Sequence, residues 1–167
     1  MKPTRFLPIF GMIVCMALSQ VAEAQNPEKP QKPERPAYES MYPVNESNAI
    51  GSIRSINTAQ VYYARTYPDA GFACELSVFA PPPAGEKPSA KAANLLDASL
   101  TSGKKSGYQF ILTCPNKSKP HQKYRIAAVP IHPGEGGKRA ICNDESAVIK
   151  GADDGKAETC FASGKVL

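Results

Sequence analysis

Five cysteines, two histidines and three aspartates near the C-terminus hold most of the chemistry that this chain of 167 residues could perform. Cys15 lies in an apolar run close to the start, which leaves Cys74, Cys114, Cys142 and Cys160. None of their spacings matches the short C-x₂₋₄-C of a zinc knuckle, so the even set reads as two disulfides formed in an oxidising compartment. Sequence alone admits three pairings. Asp144, Asp153 and Asp154 could supply some of the roughly six to eight oxygens that calcium takes, although the complete D-x-D-x-D-G order of a dedicated loop is absent. These three are the expected metal set, with calcium as the ion, and no other cofactor is expected. The glycines of PGEGGKR (133–139) could cradle an anion on their N–H groups, with Lys138 and Arg139 beside them. A hairpin turn uses the same residues, and it is the better reading where neither P-loop spacing nor a following helix is present. His121, next to Pro120, and His132, between Ile131 and Pro133, lack a companion nucleophile signature such as G-x-S-x-G. Once the thiols are oxidised no nucleophilic sulfur remains. The expectation is a protein that is not an enzyme.

The compartment follows from the first residues. Lys2 and Arg5 precede an apolar run over 6–18, and Ala22-Glu23-Ala24 has the small-x-small form of a cleavage site, so 1–24 reads as a secretory signal and the mature chain is expected to start at Gln25. The apolar run is shorter than the about 20 residues a membrane span needs, so no span is expected after cleavage. Periplasmic or extracellular localisation is the corresponding expectation. Hydrophobic content of 42% with 21% charged residues excludes a membrane bundle and a wholly disordered chain. The net charge of +5 is spread along the sequence without a basic stripe, so no nucleic-acid partner is expected.

Prolines at 27, 30, 33 and 36, with charges of both signs between them, give an extended, hydrated spacer over 25–43. A single folded domain is expected over 44–167. Its clearest element is a helix over 45–67, with Asn45 as cap, Glu46 in the first turn and Pro68 as the stop. At helical spacing Ala49, Ile53, Ile56, Tyr63, Ala64 and Tyr67 share one face. The proline run Pro81-Pro82-Pro83 lies in a long connection, and a second helix is expected over 89–102, capped by Ser89 and stopped by Gly103. The period then changes to two. Strands are expected over 108–114 and 124–129, a third over 139–142 and a fourth over 147–150 after an Asp144-Glu145-Ser146 turn. The fold class is therefore α+β, a long N-terminal helix packed on a four-stranded antiparallel meander and tied by two disulfides. Cys114 shares a face with Phe110 and Leu112, and Cys74 follows the helix, so Cys74 with Cys114 and Cys142 with Cys160 is the pairing this order favours among the three.

Local phrases sharpen the picture: SIRSINTAQVYY (52–63), SGYQF (106–110), YRIAAVPIHPGEGGKRAIC (124–142) and DESAVI (144–149). Taken in order over 44–160, they resemble the globular domain of type IV pilins and of the pseudopilins of type II secretion, in a "SxRxINTAxxxY … SGYxF … FxxDxSxxIR" pattern. The resemblance implies a structural or protein-interaction module of the cell envelope, and it makes calcium in the C-terminal loop relevant, since major pseudopilins bind it there. The chain departs from pilins in the segment that builds the filament core. A cut after Gly11 would put Met16 where pilins carry glutamate, and the apolar run ends too early. The implied partner is an envelope, pilus or secretion-system protein; a small ligand- or glycan-binding domain on the same scaffold is the alternative.

Overall fold

The computed structural model describes residues 37–167. The signal expected over 1–24 and the spacer up to residue 36 lie outside the described residues. Helix α1 spans Ala37–Thr66 and carries Pro43 inside it. It therefore begins six residues earlier than the domain boundary read at Pro43. A proline deprives only the residue four positions before it of a partner, and Ala37, Glu39 and Met41 are good helix formers, so a turn can persist ahead of it. Asn45 and Glu46 consequently sit within the helix and serve neither as cap nor as first-turn anion.

Six strands form one antiparallel sheet in chain order: β1 (Lys104–Lys105), β2 (Tyr108–Thr113), β3 (Arg125–Pro130), β4 (Ala140–Asp144), β5 (Lys150–Ala152) and β6 (Lys165–Val166). Two more strands are present than the four expected. The additional pair form the sheet's edges and have two residues each, too few for an alternating pattern to be legible. The last expected strand, over 147–150, is instead irregular over 147–149, where Ala147 takes φ +61°, and β5 begins only at Lys150. After β5, where no element is expected, helix α3 spans Ala157–Ser163 and carries Cys160.

The second expected helix shrinks to one turn, α2 (Ala98–Thr101), capped by Asp97 rather than Ser89. Residues 89–97 run back along the 3₁₀ turn Leu76–Phe79, with Ala93 N–H donating to Val78 (2.7 Å) and Leu95 N–H to Phe79 (2.9 Å). Asn94, at φ +56°, interrupts any helix there. Ala93 and Leu100 are buried in the core, with Leu95 and Leu96 packed against it, without a regular helix to carry them.

Register explains the layers. Phe110 pairs with Ala128 and Leu112 with Ile126, and Ile141 lies across from Ala128 on the next strand. These side chains share a face with Tyr108 and form one core with Ala49, Ile53, Ile56 and Tyr63 of α1. The opposite face holds a second, smaller core in which Ala127, Ala140, Cys142 and Ala152 meet Cys160 and Phe161 of α3. The Arg125 guanidinium stands over the Phe161 ring, 5.3 Å from its centre, and closes that side. The architecture is helix, sheet, short helix.

One residue contradicts its surroundings. Asn143 of β4 alternates with Cys142 and so lies on the α1 side, 2% exposed, with both amide atoms unpaired. An amide buried without partners costs on the order of 1–3 kcal/mol, and a β-branched residue suits a strand better. Asn143→Val is therefore expected to raise stability by about 1 kcal/mol, read as a higher midpoint in urea with an unchanged slope.

Candidate functional site

Helix α1 organises the loops through polar atoms buried in its packing face. Gln60, fully buried, accepts from the Ala73 N–H and donates to the Ala73 carbonyl, both at 2.8 Å. This reciprocal pair fixes the residue just before Cys74. Tyr63 donates to the Ala90 carbonyl (2.8 Å) and Tyr124 to Asn57 Oδ1 (2.9 Å). Burial, with the Asp144 and Glu145 charges, pushes the Tyr124 phenol up to about 12, so it remains a donor across the neutral range.

The glycine-rich turn does surround an anion, and that anion belongs to the chain itself. Glu46 Oε1 accepts from the Lys138 and Arg139 N–H groups at 3.3 and 3.1 Å. Its Oε2 takes Arg139 Nε and a terminal guanidinium nitrogen, both at 2.8 Å. Asn45 Nδ2 donates to the Gly136 carbonyl at 2.6 Å, and Tyr108 donates to the Arg139 carbonyl at 3.0 Å. Gly137 is required by proximity: a Cβ there would lie 2.4 Å from the Tyr108 hydroxyl oxygen. Sequence reasoning placed Glu46 at a helix end and missed Gln60 as a core residue. The signal was present, since Glu46, Ile53, Gln60 and Tyr67 recur every seventh residue and so follow one line along the helix.

Both disulfides join the expected partners, Cys74 with Cys114 and Cys142 with Cys160. The first is half-buried beside a cavity of about 440 Å³ lined by Tyr63, Phe72, Glu75, Lys91, Lys119 and His121. His121 is held by its backbone, donating to Ala70 and accepting from Phe72. Gly71, at φ +71°, makes this approach feasible, because a Cβ would come within 2.4 Å of the His121 carbonyl oxygen. The His121 Nδ1 lies 3.0 Å from the Asn116 carbonyl and so carries the proton. Among the described residues, Cys74, Cys114 and His121 are the group of three ligand-type side chains within 4.8 Å of one another, but their sulfurs are spent on the disulfide. His132 is exposed in the turn after β3.

The aspartates fall at two places, Asp144 at the end of β4 and Asp153 with Asp154 in the turn after β5. Asp144 Oδ1 accepts from the Ser146 N–H (3.0 Å) and hydroxyl (2.6 Å). Asp154 accepts from the Lys156 N–H and the Thr159 hydroxyl, which orders the entry to α3, while Asp153 faces Lys165 Nζ at 3.9 Å. Asp144, Asp153 and Asp154 do not converge as a group of three within 4.8 Å among the described residues.

Three carboxylates, Asp97 at the start of α2 together with Asp144 and Asp154, have lowered pKa values. Hydrogen bonds from the Ser99 hydroxyl and the Leu100 N–H, with Lys105, hold Asp97 well below the usual carboxylate range. Burial raises Asp144, but the two bonds from Ser146 and the Lys150 and Arg125 charges outweigh it. Thr159 and the Lys156 N–H lower Asp154. A carboxylate with a depressed folded-state pKa contributes stability above its unfolded value, near 4, and that contribution is lost as pH falls toward the folded value. Melting temperature is expected to drop below about pH 4, and Asp97→Asn to flatten that part of the profile. An identical acid limb in the variant would show that the Asp97 turn contributes nothing.

A second concavity runs along the flank of α1. A cavity of about 510 Å³ between Thr58, Tyr62 and the 94–97 segment lies next to one of about 430 Å³ between Asn48, Ser52 and Lys105. Ser55 lines both. No described helix is long and apolar enough to cross a membrane. Compared with known proteins, the chain matches no protein-family model, no curated protein and no solved structure.

Proposed function

We propose that this chain is an exported, non-enzymatic, pilin-like module that works by protein contact in the cell envelope. One observation carries the reading: a long helix, a cystine-tied connection, an antiparallel sheet in simple chain order and a cystine-closed end follow one another as the pilin-like phrases do. Two disulfides agree with an oxidising compartment. The lowered carboxylates cap or close turns, which supports a structural role for them.

The sheet edges do not favour strand addition. Each is two residues long and bears lysine, features that oppose edge pairing. The loop between β2 and β3 is better suited to contact, because it presents Lys117 and Lys119 to solvent while Cys114 and His121 anchor its two ends. The partner surface is then acidic, and its approach is salt-dependent.

The test is isolation of the native chain from the envelope of its producing cell. Intact mass should begin at Gln25 with both disulfides formed, and pilus or secretion-apparatus subunits should co-isolate at low salt. Lys117→Glu with Lys119→Glu should abolish that association and leave the melting temperature within about 1 °C. A chain that begins at Met12, or that elutes alone at every salt concentration, would overturn the reading.

A further inference from the structure

We propose that the flank of α1 facing residues 94–97 and 105–106 is a binding groove for a neutral oligosaccharide. This goes beyond the protein-contact reading and uses a different surface. From Ser47 to Tyr62 the groove extends roughly 22 Å at about 1.5 Å per helical residue, and its two cavities have the volume of ordinary ligand sites.

Its chemistry is that of polar groups without net charge. Asn48 and Asn94 are exposed, one in each cavity, and their side chains have no hydrogen-bond partner among the described residues. Ser52 is only 6% exposed, lines the groove and likewise has no partner for its hydroxyl. That oxygen is not sealed in the core, since the fully enclosed unpaired side-chain atoms among the described residues are those of Asn143. A buried hydroxyl open only to a groove gains by a ligand hydroxyl, which can both donate to it and accept from it. Ser55 and Thr58 donate back to the helix carbonyls of Gly51 and Arg54, which turns their remaining acceptor capacity outward.

The charged groups in the groove wall are Lys105 and Asp97, and they satisfy each other at 3.1 Å. An acidic or basic ligand would have to compete with that pair, whereas a neutral one need not. At the C-terminal end Tyr62 is 60% exposed, offering an aromatic face for the apolar C–H side of a sugar ring. Gly51 leaves the floor open, for a Cβ there would meet nothing within 4 Å. A glycine inside a helix is unfavourable by itself, so its presence in the groove floor fits a need for space.

The same openness provides a clean test. Gly51→Gln should fill the groove and fold at least as well as the parent, because glutamine is the better helix former and the site has room. Titration of the mature chain with chitohexaose, cellohexaose and maltohexaose, followed by calorimetry and amide chemical shifts, should give saturable binding to at least one, with shifts at Ser52 and Tyr62. Gly51→Gln should abolish it, and Tyr62→Ala should weaken it about tenfold, the order of one well-placed aromatic contact. No binding to any of the three at millimolar concentration would overturn the proposal. So would binding unchanged in a folded Gly51→Gln, or binding confined to an acidic oligouronate. Self-association that Gly51→Gln abolishes, without saccharide binding, would assign the flank to a second copy of the chain instead. The lysine-loop association is read separately, so its failure and the failure of the groove are distinguishable.

Discussion

Replacing Cys74 and Cys114 together by alanine is expected to lower the free energy of unfolding by about 4 kcal/mol, against about 3 kcal/mol for Cys142 with Cys160. The difference comes from the chain each bridge closes, with a sequence separation of 40 in the first and 18 in the second. A longer closed loop removes more freedom from the unfolded ensemble, and a loss of this size can exceed half the stability of a small domain. Urea unfolding of the two double variants measures both. The first bridge has a further consequence: it ties the connection after α1 to the end of β2, where the Lys117 and Lys119 loop departs. If the Cys74/Cys114 variant lost less than the Cys142/Cys160 variant, the Gln60 pair and the His121 backbone bonds would already hold that connection unaided.

Glu46→Ala is expected to cost about 3 kcal/mol. The carboxylate is mostly buried, and truncation strands two backbone N–H groups together with the Arg139 guanidinium. Hydrogen bonds to a charged group are worth about 1.5–3 kcal/mol, and unpaired buried partners add to the loss. Glu46→Gln should recover roughly half, since an amide oxygen can still accept from the backbone. Arg139→Ala should cost less, about 1–2 kcal/mol, because the two backbone donors stay in place. A double-mutant cycle isolates the pair, and a coupling below about 0.5 kcal/mol would show that the turn between β3 and β4 is shaped by its glycines alone.

Much of this arrangement is legible without coordinates. Of three possible pairings, Cys74–Cys114 is the one favoured by the face that Cys114 shares with Phe110 and Leu112, with Cys142–Cys160 as the remainder, and both are present. The period-two stretches around Tyr108 and Tyr124 mark β2 and β3, since one side of each is buried under a helix. The elements that escaped are those whose pattern is too short or whose reason is remote. β1 and β6 have two residues each, and α2 is one turn whose cap, Asp97, competes in the sequence with Ser89. Pro43 looks like a boundary because proline usually is one. The groove along α1 was equally hidden: Ser47, Gly51 and Ser55 lie off the face that the helical period marks for packing, and only the return of residues 94–97 and 105–106 beside them provides a second wall.

By itself the sequence determined the α+β class, the presence of two disulfides among four cysteines, and that Ala49, Ile53, Ile56 and Tyr63 of α1 turn inward. These are consequences of local period, composition and cysteine parity, which need no knowledge of distant partners. Tertiary structure alone decided that Glu46 is the anion inside the glycine-rich turn, that Gln60 belongs to the core, that Asn143 is buried unpaired, and that Asp144 stands apart from the turn that holds Asp153 and Asp154. Each of those depends on contacts between residues far apart in the chain, and the free energy of a polar group is set by what surrounds it rather than by its neighbours in sequence.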